Sequence, residues 1–377
     1  MNRSLPLPGA ALAVVLFLIL AAAPSPAQPA ATPAAVPTAA AAPAAAAVRP
    51  LRVVTTLPDY ADFARRLGGD YVKVSNIVQG DQDAHFVRPK PSFVQMLREA
   101  DLLIATGLDL EMWLPSAVDK SGNQRIRSEA VGYVAAAQGL RMKEVPVVLS
   151  RSEGGLHIYG NPHVTVSPLN MLRIVGNIAI GLEKNDPAHA AEIRARLAGV
   201  RAEFFRRLYG ADLVEILGGD TLVQLHEEGK LIAFLEQNQF EGKPLLGRLG
   251  GWTGALLPLR GVQIVTYHKN WGYLFDDFGL ICADTIEPKP GIPPSPKHTR
   301  ELEDRMRREG IRIILSASYF DEQTVRTIAT AVGAKYRMVP YYVGGAPEVP
   351  DYFSLVDHWV DCLVTMAREA GVTGRQP

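Results

Sequence analysis

Short apolar runs alternate with segments of helical spacing in the first third of the chain. LRVVTT (Leu51 to Thr56), YVKVSNIV (Tyr71 to Val78) and DLLIATG (Asp101 to Gly107) each predict a strand, because apolar and β-branched residues dominate them. Asp59 to Leu67 and Pro91 to Glu99 predict helices between these strands. This β-α-β-α-β order predicts parallel strands with helices on the faces of the sheet.

The same alternation returns in the last third of the chain. Three apolar runs predict strands there: Val262 to Tyr267, Leu280 to Thr285 and Ile311 to Ser316. Helices are predicted to follow these strands and to close the chain, at Trp271 to Phe278, Lys297 to Glu309, Asp321 to Val332 and Asp351 to Ala370. The pattern therefore predicts a second α/β lobe.

Two helices are predicted between these groups, at Leu169 to Glu183 and at Pro187 to about Leu217. The second would span about 45 Å at the usual rise per residue. Gly218 to Gly261 is rich in glycine and has no clear period, so only short helices around Leu231 to Leu235 are predicted. The predicted fold is α/β, with two lobes that each hold a mainly parallel β-sheet flanked by helices, joined by a long rigid strut helix.

The N-terminal segment has the pattern of an export signal. Arg3 precedes an apolar run from Ala10 to Ala23, and Ser25 to Ala27 supplies small residues for cleavage. The run is short for a membrane span, which disfavours an uncleaved anchor. The predicted divisions are a signal peptide at 1–27, an Ala/Pro-rich tether at 28–48, an N-terminal lobe at 49–185, a linking helix at 186–217 and a C-terminal lobe at 218–377. The mature protein is expected in the periplasm.

Charge and cysteine content exclude several classes of protein. The 377 residues contain 39 Lys and Arg and 39 Asp and Glu, so the formal net charge is zero. This balance argues against a nucleic-acid-binding protein and against a polybasic membrane-surface protein. Two cysteines are too few for a disulfide scaffold or a four-cysteine zinc site. Whether Cys282 and Cys362 form a single disulfide stays open at this point.

Four residues of metal-binding type lie just beyond or between the predicted elements. His85 lies in the loop before the Pro91 helix, and His163 precedes the Leu169 helix. His268 follows the VQIVTY strand, and Asp351 stands at the entrance of the last helix. Ligands of open parallel sheets bind outside the carboxyl ends of strands. Three imidazoles and one carboxylate form a four-ligand set that suits Zn²⁺.

The remaining histidines are interpreted as surface or core residues: His157, His189, His226, His298 and His358. His226 begins HEEGK, which is not the zinc motif H-E-x-x-H because Lys230 occupies the fifth position. His157 lies six residues before His163, which keeps open a role as an auxiliary ligand or a handoff residue. Three residues of the neighbouring segments are interpreted as structural: Glu111, Trp113 and Tyr273.

The segments around these histidines resemble the metal-binding solute receptors of bacterial ABC importers for zinc and manganese. GDQDAHFVRPKPS, which contains His85, is similar to the family loop that supplies the first histidine. ADLLIATGLDLEMWL, which ends at Leu114, is similar to the segment that follows that loop. NPHVTVSP resembles the family segment around the second histidine, here His163. HKNWGYL resembles the segment that opens with the third ligand, here His268, and Asp351 matches the acidic fourth ligand.

The resemblance covers about Leu51 to Ala370, with some departures. Asn161 stands where the family commonly has Asp, and Thr165 replaces an aromatic residue. The IRIILSAS strand lacks the Glu that often follows it in the family. The His/Asp-rich mobile loop of many zinc receptors is absent from the sequence. The four expected ligand types are nevertheless all present.

The resemblance implies a receptor that performs no covalent chemistry and is not an enzyme. It would hold zinc between its lobes and deliver it to a membrane permease, as a monomer, with a periplasmic metallochaperone as a second candidate partner. A manganese receptor of the same family is one alternative, although Mn²⁺ prefers more oxygen ligands. An exported zinc hydrolase would need an open coordination position. A two-lobe receptor for a siderophore or a vitamin would need a large apolar or cationic cleft.

Overall fold

The computed structural model describes residues 49–146, 157–289 and 291–374. The predicted signal peptide at 1–27 and the predicted tether at 28–48 lie outside the described residues. The predicted fold class is confirmed, because two parallel sheets are present and helices flank both.

The first sheet has four parallel strands in the order β2-β1-β3-β4. Its strands are β1 (Leu51–Thr55), β2 (Val72–Asn76), β3 (Leu102–Ala105) and β4 (Tyr133–Ala135). Its helices are α1 (Pro58–Gly68), α2 (Pro91–Glu99), α3 (Leu114–Ser121) and α4 (Pro168–Asn185). Each of these helices has a proline in its first two positions, where the missing N–H has no helical partner to lose.

The middle of the chain is helical, but the predicted strut is shorter than expected. The helix α5 (Ala190–Tyr209) ends at Gly210, which adopts a φ of 83° that no continuous helix allows. The chain then continues through α6 (Ala211–Leu217), α7 (Gly219–Glu227), α8 (Leu231–Gln237), a two-stranded antiparallel pair of β5 (Gln239–Phe240) and β6 (Lys243–Pro244), and α9 (Gly251–Leu256). None of the helices in the described ranges is long and apolar enough to cross a membrane.

The second sheet also has four parallel strands, in the order β10-β9-β7-β8. Its strands are β7 (Gln263–Thr266), β8 (Ile281–Thr285), β9 (Ile313–Ala317) and β10 (Lys335–Val339). Its helices are α10 (Gly272–Phe278), α11 (Pro296–Glu309), α12 (Glu322–Val332) and α13 (Tyr352–Ala370). Cys282 on β8 and Cys362 on α13 are both free thiols, so the disulfide left open by the sequence is not formed.

One hydrophobic core runs through both lobes. The helix α5 packs against α1 and α4 of the first lobe and against α9 of the second lobe. Its Phe204 also contacts α13 of the second lobe. Phe63 of α1 stacks on Phe204 of α5 with 5.6 Å between ring centroids, and Phe204 meets Phe353 of α13 at 4.9 Å. This aromatic cluster joins the first lobe, the linking helix and the second lobe without an intervening layer of water-exposed side chains.

Buried carboxylates cross the seam between the lobes. Asp59 of α1 accepts a 2.9 Å hydrogen bond from the backbone N–H of Val343. Asp277 of α10 accepts a 2.7 Å hydrogen bond from the hydroxyl of Ser167, which begins α4. Burial raises the pKa of both Asp59 and Asp277 to about 7, because removal from water penalises the ionised form. The seam therefore contains acids that titrate near neutral pH.

Candidate metal centre

Four histidine side chains converge where the two lobes meet. His85, His157, His163 and His268 each offer a ring nitrogen, and these four atoms lie within 4.8 Å of one another. His163 and His268 are only 3% and 6% exposed, whereas His85 and His157 are half-buried. A cluster of this kind has the size and the donor type of a transition-metal site.

The positions of these histidines follow from the two parallel sheets. His85 lies in a short 3₁₀ helix (Ala84–Phe86) in the connection that follows β2. His268 follows β7 and begins a second 3₁₀ helix (Lys269–Trp271). His163 begins the turn that leads into α4. Because β2 and β7 are parallel strands of different sheets, their carboxyl ends bring one ligand from each lobe to the same place.

The imidazoles face one another in pairs through Nε2. The Nε2 atoms of His85 and His157 are 3.1 Å apart, and those of His163 and His268 are also 3.1 Å apart. Two ring nitrogens at this distance need a proton or another cation between them, since two lone pairs repel. The arrangement therefore presents electron pairs that a metal ion can accept.

Carboxylates bind the opposite nitrogen of three rings. The Nδ1 atom of His85 is 2.8 Å from Asp83, that of His157 is 3.1 Å from Asp109, and that of His268 is 3.0 Å from Glu287. A carboxylate at Nδ1 holds the proton on that atom, and this leaves Nε2 free to coordinate. These acids orient the rings and make them stronger ligands.

His163 differs from the other three rings. Its Nδ1 atom is buried and has no hydrogen-bond partner among the described residues. Burial lowers the pKa of His163 well below its usual value, and the neighbouring histidines lower it further. The ring therefore stays neutral, which is the state that binds metal.

Asn161 joins the two ligand-bearing segments. Its Oδ1 atom accepts a 3.0 Å hydrogen bond from the backbone N–H of His163, and its Nδ2 atom donates to the carbonyl oxygen of Lys269 at 2.7 Å. The hydroxyl of Tyr273 donates to the carbonyl oxygen of Asn161 at 2.8 Å. The segments that carry His163 and His268 are thus hydrogen-bonded across the lobe boundary.

Two residues interpreted as structural hold the framework of the first lobe, and one of them contacts the His85 loop. Trp113 donates from its indole N–H to the carbonyl oxygen of Ala84 at 2.9 Å. Glu111 is buried and accepts hydrogen bonds from the hydroxyls of Thr56 and Thr106 at 2.6 and 2.7 Å. Burial raises the pKa of Glu111, which neighbouring hydrogen bonds only partly oppose. Trp113 thus holds the His85 loop, whereas Glu111 joins the ends of β1 and β3.

The structure does not bring Asp351 into the cluster. Asp351 is the N-cap of α13, where its carboxylate accepts a 2.8 Å hydrogen bond from the backbone N–H of Ser354. Its other oxygen lies 2.8 Å from Nη2 of Arg66. Asp351, the expected fourth ligand, thus lies outside the group of four rings, which consists of the three expected histidines and His157.

The sequence prediction missed the three carboxylates, and it left His157 as an open alternative. One signal could have found the acids, because Asp83, Asp109 and Glu287 all follow a parallel strand on its carboxyl side. The role of His157 depends on Asp109, which lies 48 residues away in the sequence. That contact exists only in the folded chain.

The other histidines have partners away from this cluster. His189 lies 2.7 Å from Asp186 and stacks on Tyr71 with ring centroids 3.6 Å apart. The Nδ1 atom of His226 is hydrogen-bonded to the hydroxyl of Tyr209 at 3.0 Å. The Nε2 atom of His298 lies 3.1 Å from the carbonyl oxygen of Thr285. His358 lies 3.6 Å from the sulfur of Cys362 on the same helix. Their interpretation as structural residues agrees with these contacts.

Two small cavities flank the cluster, of about 200 Å³ and about 190 Å³. His157, His268 and Glu287 line both of them. The second is mainly apolar, with Phe86, Met112 and Phe320 among its lining residues. Both are smaller than the roughly 300–1,000 Å³ of typical small-molecule sites, which favours an ion over a siderophore or a vitamin.

Comparison with known proteins gives a consistent family. The family model described as zinc-uptake complex component A, periplasmic, matches residues 53–206 and 253–366. The chain is 25% identical over 321 residues to the iron-binding protein YfeA of Yersinia pestis, covering 84% of this chain and 86% of that protein. It is 24% identical to the high-affinity zinc uptake protein ZnuA of Paracoccus denitrificans, covering 69% and 73% of the two chains.

Further matches include a manganese receptor and solved structures of the same fold. The manganese ABC transporter substrate-binding lipoprotein PsaA of Streptococcus mitis is 23% identical, covering 75% of this chain and 77% of that protein. A zinc-bound deletion mutant of ZnuA superposes with a TM-score of 0.62 at 22% identity, covering 87% of this chain and all of that one. A manganese-bound periplasmic protein from Candidatus Liberibacter asiaticus gives 0.60 at 18% identity, covering 84% and 98%. At these identities the superpositions establish the fold.

Proposed function

This chain belongs to the family of zinc-uptake complex component A, and on that basis we propose that it is an extracytoplasmic receptor for a divalent transition metal. Zinc is the first candidate cargo. The receptor captures the ion between its two lobes and delivers it to the permease of an ABC importer. The signal peptide predicted at 1–27 supports a site of action in the periplasm.

The convergence of four imidazoles is the observation that carries this proposal. Nitrogen ligands suit zinc, which takes four of them in a tetrahedral arrangement. Manganese prefers carboxylate, carbonyl and water oxygens, and the three acids of the site are turned toward ring nitrogens. The donor set therefore favours zinc, although relatives of this chain are named for zinc, manganese and iron.

The same donor set disfavours an exported zinc hydrolase. Catalytic zinc sites keep one coordination position for water or substrate, whereas four protein ligands fill a tetrahedral shell. A receptor needs no such open position, because its task is to hold and release the ion. We propose that the protein acts as a monomer, and that a periplasmic metallochaperone is a second candidate partner beside the permease.

Native mass spectrometry with metal-free and zinc-loaded protein tests the proposal. We expect one Zn²⁺ per chain in the wild type. The double variant His85→Ala/His268→Ala removes one ligand from each lobe and should lose bound zinc at nanomolar free metal. The matched control His189→Ala/His298→Ala removes two histidines outside the cluster and should still bind one ion. Zinc retention by the first double variant would refute the metal site.

A further inference from the structure

The four imidazoles are not held equally. The backbone N–H of His163 donates a hydrogen bond to the side chain of Asn161. The carbonyl oxygen of His268 accepts a 2.8 Å hydrogen bond from the hydroxyl of Thr266. His85 sits in a 3₁₀ turn that Asp83 caps at the backbone, and the turn is tied to the lobe through Trp113. Each of these three ligands thus has a support other than a carboxylate that binds its own ring.

His157 depends on a single carboxylate. One oxygen of Asp109 lies 3.1 Å from Nδ1 of His157, and the other accepts a 2.8 Å hydrogen bond from the backbone N–H of Ile158. In the described part of the chain, residues 157 and 158 have two further hydrogen-bond contacts, one with the facing ring of His85 and one within their own turn, from the N–H of Gly160 to the carbonyl oxygen of His157 at 3.2 Å. Ile158 and Tyr159 are 47% and 58% exposed, so apolar packing adds little.

We propose that His157 is the exchangeable ligand of the site and that Asp109 is its positioning residue. His157 is then the last imidazole to bind the incoming ion and the first to leave it. The inference rests on the proposed function, because it concerns the same metal site. Asp109 acts through His157 and does not itself touch the metal.

The two cavities give this assignment a physical route. His157 and His268 both line the cavities on the two sides of the cluster, but His268 is buried whereas His157 is half-buried. Departure of its ring would open one coordination position toward both of them. Zinc tolerates this state, since three protein ligands and one water form a common zinc shell. Release through the better-supported rings would instead require the turns of His85, His163 or His268 to rearrange.

Zinc-release rates test the assignment. Zinc-loaded protein is mixed with an excess of a chromophoric zinc chelator, and dissociation is followed by stopped-flow absorbance. Loss of an outer-shell partner typically lowers metal affinity roughly 10- to 100-fold, and we expect Asp109→Asn to show this loss as zinc release that is faster by the same factor. Asp109→Glu retains the charge and should recover part of the slow release. His157→Ala should still bind one ion and release it at least as fast as Asp109→Asn.

The decisive comparison is the double variant His157→Ala/Asp109→Asn. If Asp109 acts only through His157, Asp109→Asn should not change the release rate of the His157→Ala protein. The matched change Asp83→Asn acts on His85, so it should accelerate release in both backgrounds. An equal effect of Asp109→Asn in both backgrounds would overturn the positioning role. If His157→Ala released zinc at the rate of the wild type, the assignment of His157 as the exchangeable ligand would be overturned. Absence of zinc from the wild type would instead reject the proposed function.

Discussion

Asn161 and Lys269 are joined by a 2.7 Å hydrogen bond from the side-chain amide of the first to the carbonyl oxygen of the second. The bond links the residue two positions before His163 with the residue directly after His268. Because the same amide also accepts from the backbone N–H of His163, one side chain sets the distance between two ligand-bearing segments of different lobes. The amide is required there, since a carboxylate cannot donate to a carbonyl oxygen.

Replacement of Asn161 by Asp should therefore weaken both the fold and the site. The carboxylate would face the carbonyl oxygen of Lys269 with no proton to share, at an expected loss of about 1–3 kcal/mol in the free energy of unfolding. The zinc-induced rise in melting temperature should also shrink. Asn123→Asp is the control, because Asn123 donates to Leu97 and Ala100 away from the site. It should lower stability and leave the zinc-induced rise intact, and equal effects of both variants would contradict the coupling.

Asp351→Ala separates helix capping from metal binding. Loss of the N-cap should reduce the free energy of unfolding by about 1 kcal/mol, measured by chemical denaturation without metal. Zinc affinity, measured by competition with a chelator, should stay within about twofold of the wild type because Asp351 lies outside the group of four rings. A loss of zinc affinity as large as that of His268→Ala would restore Asp351 as a ligand.

Glu287→Gln tests the carboxylate behind His268. The neutral amide still fits the space but no longer stabilises a proton on Nδ1 by charge, so zinc affinity should fall roughly 10- to 100-fold. Competition titration measures this change. Glu369→Gln serves as the comparison, since Glu369 of α13 forms an ion pair with Arg337 of β10. Glu369→Gln should bind zinc like the wild type. If Glu287→Gln did so too, Glu287 would have no part in the site.

The stability that Asp59 and Asp277 contribute without metal should fall as the pH rises from about 4 to about 7. An acid whose pKa is raised in the folded state keeps its proton to higher pH than in the unfolded chain, so the unfolded chain loses its proton first. Asp59, with a pKa raised to about 7 by burial, contributes up to about 4 kcal/mol to this fall. Above pH 7 the contribution of Asp59 no longer changes. Asp277, whose pKa is also raised to about 7, adds a decline of the same sign over the same pH range.

Asp59→Asn isolates this contribution. An amide resembles the protonated acid and can still accept from the N–H of Val343, so the variant should lose part of the pH dependence and gain stability at pH 8. Urea denaturation at pH 5 and pH 8, in the presence of a chelator, measures the difference. Asp70→Asn changes an exposed acid and should leave the slope as it is. An unaltered slope in Asp59→Asn would argue against a buried acid with a raised pKa.

The sequence predicted the four central strands and two of the four edge strands, β2 and β8, but it missed the edge strands β4 and β10. β1, β3, β7 and β9 are apolar runs because both faces of a central parallel strand are covered. β4 has only three residues, and β10 reads KYRMV at the edge of its sheet, so neither stood out. The break at Gly210 was also missed. Gly199 lies within the same helix and stays helical, which shows that a glycine alone does not mark an end.

The candidate site was predictable where it depends on strand ends. His85 and His268 follow parallel strands of the two lobes, which places them at the carboxyl ends before any contact is known. Asp351 could not be assigned in this way, because an acid in front of a helix is equally suited to capping and to coordination. His157 needed knowledge of its contact with Asp109, which forms only in the folded chain.

The aromatic cluster of Phe63, Phe204 and Phe353 limits how the cargo can leave. Swinging the lobes apart as rigid bodies would return these rings to water, at about 1.5–3 kcal/mol for each ring. The total is of the same order as the entire free energy of unfolding of an average domain, about 5–15 kcal/mol. Thermal motion alone would rarely reach such an open form. Unloading must therefore proceed through small rearrangements at the rim of the cleft, or draw on mechanical work done by the transporter.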